Sequence, residues 1–135
     1  MRTYAVLVPF LSAACVAAQA TFASPSWKYS GCVDIGNIAF DHTANFVDPF
    51  TPQQCQSACE GYEYAAAFVE LCLCGDSIGD LSSLKKDDSA CNNPCRGDVS
   101  LGFCGYMDAD NSYANIYAPL RIKRDVGGVL HIALL

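Results

Sequence analysis

Nine cysteines in a chain of 135 residues constrain the fold of this protein more than any other feature. Cys15 lies in an apolar N-terminal run, and the other eight lie between positions 32 and 104. An even number is what complete pairing in an exported protein requires. Disulfides form in oxidising compartments, and each typically contributes about 2–4 kcal/mol to the stability of a small domain. We therefore expect four disulfides that supplement a hydrophobic core of modest size.

The N-terminus has the features of a secretory signal peptide. Arg2 supplies a positive charge, and the run from Tyr4 to Ala18 is apolar and uncharged. That run is shorter than the roughly 20 residues that cross a bilayer. Ala18-Gln19-Ala20 places small residues where a signal peptidase reads them, so residues 1–20 are predicted to be a signal peptide cleaved after Ala20. We expect a secreted protein, extracellular or in the cell wall, with no membrane anchor.

The charge balance argues against two classes of partner. The chain has eight Lys and Arg residues and fourteen Asp and Glu residues, and loss of Arg2 with the signal peptide leaves seven basic residues and a net charge near −7. Nucleic acids and anionic membranes require a basic face, so we expect neither as a partner. An uncharged ligand is unaffected by this balance.

Local sequence patterns predict a mixed α+β domain. Residues 27–33 are typical of a first strand, and residues 113–119 of a last strand. A short helix is predicted from Thr51 to about Glu60, because Thr51 is a good N-cap, Pro52 suits the first helical position and Gln54 can complete a capping box. Residues 34–48 and 75–90 are predicted loops.

Residues 62–74 are rich in aromatic and small apolar side chains, as in a strand with one buried face. Alternate, even-numbered positions carry Tyr62, Tyr64, Ala66, Phe68, Cys72 and Cys74, which would project from one face of a continuous strand. Glu70 interrupts that face, so we expect a turn near residues 69–71 that splits the segment into a hairpin.

Two pairs of cysteines have matching spacings. Cys55 and Cys59 lie on one face of the predicted helix, about 6 Å apart from one turn of rise. Cys72 and Cys74 lie on one face of a strand, about 7 Å apart. The match predicts two adjacent disulfides between helix and strand. Spacing leaves parallel and crossed arrangements open, and eight cysteines allow 105 pairings.

No set of residues typical of catalysis or of a metal centre is visible. The sequence has no pair of C-x-x-C knuckles, and neither His42 nor His131 stands at a zinc-ligand spacing. The carboxylates scatter through predicted turns, without a nucleophile and base beside them. Residues 108–112 begin like a calcium loop but lack its turn glycine and distal glutamate, which favours a plain turn. We expect a protein that is not an enzyme and has no cofactor or metal.

The eight cysteines from Cys32 onward and the residues beside them form an ordered series of motifs. These motifs are Tyr29-Ser30-Gly31-Cys32 followed by Asp34, Thr51-Pro52-Gln53-Gln54-Cys55-Gln56-Ser57-Ala58-Cys59, Gly61-Tyr62-Glu63-Tyr64-Ala65, Cys72-Leu73-Cys74-Gly75, Cys91 to Asp98, Cys104-Gly105 and Ile116-Tyr117. Over residues 27–118 the series resembles the WSC domain, a cysteine-rich module of extracellular and cell-wall proteins.

The resemblance implies a small disulfide-rich α+β domain of the PAN/apple-like type, with a short helix packed on an antiparallel sheet. The cysteine pairs that it implies are Cys32–Cys91, Cys55–Cys72, Cys59–Cys74 and Cys95–Cys104. Residues 21–26 then form an N-terminal lead and residues 119–135 a tail. The tail contains the dibasic stretch Arg121-Ile122-Lys123-Arg124, and the sequence leaves open whether it is processed, disordered or an artefact of the gene sequence.

The function implied by the resemblance is non-catalytic binding of a cell-wall polysaccharide of the β-glucan, chitin or xylan class. A secreted protein-interaction or effector-type module without glycan binding is the alternative. The stalk and transmembrane helix of WSC stress sensors are not visible, so we expect no sensor role. We expect a monomer.

Sugar rings stack on exposed aromatic faces, and short polar side chains bind their hydroxyl groups. The aromatic candidates are Tyr62, Tyr106, Tyr113, Phe46 and Phe50, with Asp110 and Asn111 as polar partners. We favour Tyr106 and Tyr113, because they flank a polar loop. The alternative for each aromatic is a place in the core, which we expect for Tyr29, Tyr64, Phe68 and Tyr117.

Overall fold

The computed structural model describes residues 19–124 and 130–133, with side chains up to position 121. Residues 1–18 of the predicted signal peptide lie outside the described residues, as do parts of the tail. No helix within the described ranges is long and apolar enough to span a membrane. As predicted, the fold is α+β: an antiparallel sheet, a short helix and four disulfides.

The main sheet has seven strands. They are β1 (Trp27–Asp34), β2 (His42–Ala44), β3 (Tyr64–Phe68), β4 (Leu71–Gly75), β5 (Lys85–Lys86), β6 (Tyr106–Met107) and β7 (Ser112–Pro119). Their order is β2-β4-β3-β7-β1-β5, with β6 also paired to β7, and all pairs are antiparallel. The helices are α1 (Pro52–Ala58) and α2 (Leu81–Leu84), followed by 3₁₀ turns at Asp88–Cys91, Cys95–Gly97 and Val99–Leu101.

Helix α1 begins where the sequence predicts. The Gln54 amide N–H donates to the Thr51 hydroxyl (3.2 Å), and the Thr51 N–H donates to Gln54 Oε1 (2.8 Å), which completes the capping box. Pro52 occupies the first turn. The helix ends at Ala58, with Cys59 as its C-cap, slightly before the predicted Glu60.

The predicted hairpin is present, but its side chains do not share one face. Phe68 pairs with Leu71, so Val69 and Glu70 form a two-residue turn that reverses the parity of every later position. Cys72 and Cys74 therefore pack with the face that carries Ala65 and Ala67. The opposite face carries Tyr64, Ala66, Phe68 and Leu73. The prediction of one shared parity was wrong, because it did not count across the turn.

Each face of the sheet is covered by its own apolar cluster. The first cluster contains α1, three of the disulfides and the buried Tyr117, with the half-buried Tyr29 packed against it. The second contains Val33, Ile35, Ala66, Phe68, Ile78, Ala114 and Ile116, with the half-buried Tyr64 at its margin. These positions confirm the expected core roles of Phe68 and Tyr117, and Tyr29 and Tyr64 line the core.

The four disulfides are those that the WSC resemblance implies: Cys32–Cys91, Cys55–Cys72, Cys59–Cys74 and Cys95–Cys104. The middle two join α1 to β4 as parallel rungs. They bring the sulfur atoms of Cys55, Cys59 and Cys72 within 4.8 Å of one another. This cluster is explained by neighbouring disulfides and offers no free thiolate for a metal.

Both predicted loops contain short regular elements, and so does the tail, whose state the sequence left open. The segment 34–48 includes the edge strand β2, which pairs with β4. The segment 75–90 includes α2, capped by the Asp80 carboxylate, and β5, which pairs with β1. In the tail, Arg121–Arg124 (β8) pairs with Leu130–Ala133 (β9) as a separate two-stranded sheet.

Candidate functional site

The polar loop between β6 and β7 is a tight hairpin that brings two tyrosines together. Tyr106 pairs directly with Tyr113, and the Asp108 N–H donates to the Asn111 carbonyl (3.0 Å). Directly opposed residues of an antiparallel pair project to the same face. The two phenol rings lie with centroids 6.1 Å apart and planes inclined by 31°. We call Tyr106, Asp108, Asn111 and Tyr113 the tyrosine platform.

Gly105 allows β6 to approach β7 closely enough to form this pair. Its φ is +69°, and a Cβ at this position would lie 2.1 Å from the Tyr113 carbonyl oxygen. Only glycine has both the backbone freedom and the space for this position. The preceding residue, Cys104, is held by its disulfide to Cys95 and by a hydrogen bond from its backbone N–H to the Asn93 carbonyl (2.8 Å). The platform therefore starts from an anchored backbone.

Asp108 organises the polar side of the platform. Its carboxylate accepts the Tyr106 hydroxyl (2.8 Å), the N–H groups of Asp110 and Asn111 (2.8 Å each) and the Asn111 side-chain amide (3.1 Å). The Tyr113 hydroxyl in turn donates to Asn111 Oδ1 (2.9 Å). Both phenol groups are thus oriented by one connected set of hydrogen bonds.

These hydrogen bonds fix the charge state of the platform. The Asp110 N–H, the Tyr106 hydroxyl and the Asn111 amide groups hold the pKa of Asp108 at about 2. The same Tyr106–Asp108 bond raises the pKa of Tyr106 above its usual value. At neutral pH the platform therefore presents one anchored carboxylate and one protonated Tyr106 phenol. Both Asp108 oxygens accept hydrogen bonds from groups of the same hairpin.

One side chain beside the platform could not be predicted from the sequence pattern. Lys86 Nζ lies 5.9 Å from the centroid of the Tyr113 ring, within the range of a cation–π contact. Lys86 belongs to β5, which joins the sheet beside Cys32 of β1. A two-residue strand in a polar segment leaves no periodic pattern, so sequence reasoning missed it.

The other candidate residues lie elsewhere or play smaller parts. Asp110 is an exposed member of the loop and contributes its backbone N–H. Tyr62 stacks on His42 of the edge strand β2, with centroids 6.0 Å apart and planes inclined by 6°. Phe46 stacks on Phe50 (5.0 Å), and Phe50 is only 3% exposed. Phe50 is therefore a core residue, which corrects its place among the sugar-binding candidates.

Comparison with known proteins identifies the family. Residues 29–106, more than half of the chain, match the family model of the WSC domain. The chain belongs to the WSC domain family. A WSC domain-containing protein of Arthroderma benhamiae is 34% identical over 79 residues, which are 56% of this chain and 11% of that protein. The chain thus spans about a tenth of that relative's length. No solved structure matches.

The extent of the WSC match bears on the platform. The match ends at Tyr106, so Asp108, Asn111 and Tyr113 lie beyond it. The disulfides and Gly105 that support the platform lie inside the match, whereas most of its polar groups do not. The four disulfides of this WSC domain fit an extracellular protein, because such bonds persist in oxidising compartments.

Proposed function

We propose that this WSC domain is a secreted, non-catalytic module that binds a cell-wall polysaccharide of the β-glucan, chitin or xylan class through the tyrosine platform. The observation that carries the proposal is the direct cross-strand pairing of Tyr106 with Tyr113, whose hydroxyls are held by Asp108 and Asn111. The platform combines aromatic surface with oriented hydrogen-bonding groups, which is the chemistry that a sugar ring requires.

Preorganisation favours this surface for an extended, flexible ligand. Tyrosine has only two side-chain torsions, so it supplies contact area with little loss of conformational entropy. Here both hydroxyls already have partners, and the backbone before Tyr106 is fixed by the Cys95–Cys104 disulfide. The ordering cost of binding then falls mainly on the polysaccharide. A neutral polysaccharide is not repelled by the acidic side chains of Asp108 and Asp110.

The proposal is tested by affinity for insoluble β-glucan, chitin and xylan. We expect the double substitution Tyr106→Ala with Tyr113→Ala to weaken binding at least tenfold, about 1.4 kcal/mol. The melting temperature should change little, because both rings are partly exposed and lie outside the two apolar clusters. Met107→Ala is the matched control: Met107 is the β6 neighbour of Tyr106, is 55% exposed and points to the other face.

A third variant distinguishes a wrong binding site from a wrong function. Tyr62→Ala removes the aromatic candidate that stacks on His42, away from the platform. If Tyr62→Ala abolishes binding and the platform double variant does not, the polysaccharide function stands and the platform is the wrong site. If the unmodified domain binds none of the three polysaccharides, the proposal fails, and the protein-interaction alternative takes its place.

A further inference from the structure

Gln19 occupies a buried polar pocket of the folded domain. In the chain with the leader still attached it is 1% exposed, and its side chain is among the largest fully buried ones in the described part of the chain. The sequence rule for signal peptidase predicts cleavage after Ala20, which would place Gln19 inside the leader as its second-last residue. The structure therefore bears on where the leader ends.

The side-chain amide nitrogen of Gln19 faces three acceptors, which its two hydrogens share. Its Nε2 donates to the carbonyl oxygens of Asp88 (2.9 Å) and Cys91 (3.2 Å), and to Asn92 Oδ1 (3.3 Å). Its Oε1 lies 3.3 Å from the Tyr29 hydroxyl, which donates to the nearer Asp88 Oδ1 (2.8 Å). Asp88 and Cys91 belong to one 3₁₀ turn and Asn92 follows it, whereas Tyr29 belongs to β1, so the amide lies between two separate parts of the fold.

The backbone of Gln19 is also part of the fold. Its carbonyl accepts the hydroxyl of the fully buried Tyr117 (3.5 Å) and the N–H of Phe22 (3.2 Å). The Phe22 carbonyl accepts the side-chain amide of Gln56 on α1 (2.9 Å). The segment that begins at Gln19 is thus continuous with the docked N-terminal lead.

Removal of Gln19 would leave a defect in the interior. The Asp88 carbonyl would lose a donor and the buried Tyr117 hydroxyl would lose its acceptor, whereas the Cys91 carbonyl would keep the Asn115 side-chain amide as a donor (3.2 Å). Buried polar groups without partners typically cost about 1–3 kcal/mol each. A chain that begins at Thr21 would carry all of these losses.

We infer that Gln19 is retained in the exported domain as its first residue, and that the leader is removed between Ala18 and Gln19. The inference rests on the predicted signal peptide and is independent of polysaccharide binding. Ala18 is small, and Val16-Ala17-Ala18 is an acceptable small-residue site of the A-x-A type. Hydrolysis of this bond consumes one water and leaves a carboxylate on Ala18 and an α-amino group on Gln19.

The direct test is to secrete the full chain from a eukaryotic host and map its N-terminal peptide by mass spectrometry. A first residue at position 19 is the expected result. A first residue at Ala20, Thr21 or beyond overturns the inference, as does secretion with the leader intact.

A second measurement tests the structural reason. We expect Gln19→Ala, introduced in the full chain, to lower the melting temperature of the secreted protein by at least about 5 °C. Gln53→Ala is the matched control, because Gln53 is a half-buried residue of α1 near Phe46 and takes no part in the hydrogen bonds around Gln19. If the leader is removed after Ala20, position 19 is absent from the secreted protein. Gln19→Ala would then leave the melting temperature unchanged and refute the inference.

Discussion

Loss of the Cys32–Cys91 disulfide should destabilise the domain more than loss of Cys95–Cys104. The two bonds close loops with sequence separations of 59 and 9. A cross-link stabilises mainly by restricting the unfolded chain, and the effect grows with the logarithm of loop length. All four cysteines are almost completely buried, so replacing either pair by alanine removes the same amount of buried sulfur. The difference between the two variants then reports loop closure.

The larger loop is shortened by the other disulfides. With Cys55–Cys72 intact, the path from Cys32 to Cys91 contains 23 residues up to Cys55 and 19 beyond Cys72, about 42 in all. The loop-entropy relation gives about 3.9 kcal/mol for this path and about 2.6 kcal/mol for the loop of Cys95–Cys104. We expect the Cys32→Ala/Cys91→Ala variant to be less stable than the other double variant by about 1.4 kcal/mol.

Urea unfolding of both double variants and the unmodified domain, at equal pH and without reductant, measures this difference. Alanine at both positions of a pair prevents exchange of a stranded thiol with the neighbouring disulfides. Equal losses, or a larger loss for Cys95→Ala/Cys104→Ala, would refute the loop argument and point to native-state packing around the shorter bridge.

Two further predictions concern the tyrosine platform. Gly105→Ala should lower the free energy of unfolding by more than about 2 kcal/mol, the order of cost typical of a strained backbone position. The reason is that φ of Gly105 is +69° and a new Cβ would lie 2.1 Å from the Tyr113 carbonyl oxygen. An unchanged urea midpoint would contradict this prediction. The pKa of Asp108 is lowered to about 2, so its stabilising effect is present above the ordinary carboxyl pKa of 3.8 and is lost as the pH falls from about 4 towards 2. The unmodified domain should therefore lose more stability than Asp108→Asn over this interval, and parallel losses in urea titrations at several pH values would exclude the effect.

The elements that sequence predicted correctly depend on local chemistry. Thr51, Pro52 and Gln54 define the start of α1 by contacts within one turn, so the capping box is visible before any tertiary structure is known. The spacing of the cysteines on α1 and β4 likewise reflects the geometry of one helix and one strand. The choice between parallel and crossed rungs came from the family resemblance, and the structure confirms it.

The features that sequence missed depend on contacts between distant segments. Strand β2 has three residues on an edge, and β5 has two lysines, so neither contains enough positions to show a period. The burial of Gln19 depends on Asp88 and Cys91, about seventy positions along the chain. Among the candidate site residues, Tyr106 and Tyr113 are brought together by the structure, whereas Phe50 is buried by its packing in the first apolar cluster.

The pairing of Trp27 with Pro119 places the entry and exit of the chain at one end of the sheet. Tension applied through the chain therefore first detaches the docked lead before Trp27, and then separates β1 from β7 one hydrogen-bonded pair at a time. Once the strands part, the shortest covalent path runs from Cys32 to Cys91, along the chain to Cys95, and across the second bridge to Cys104. Residues 33–90 and 96–103 lie off this path and are shielded from the pull. The hairpin that carries Tyr106 and Tyr113 lies on it, so mechanical load on the chain acts directly on that surface.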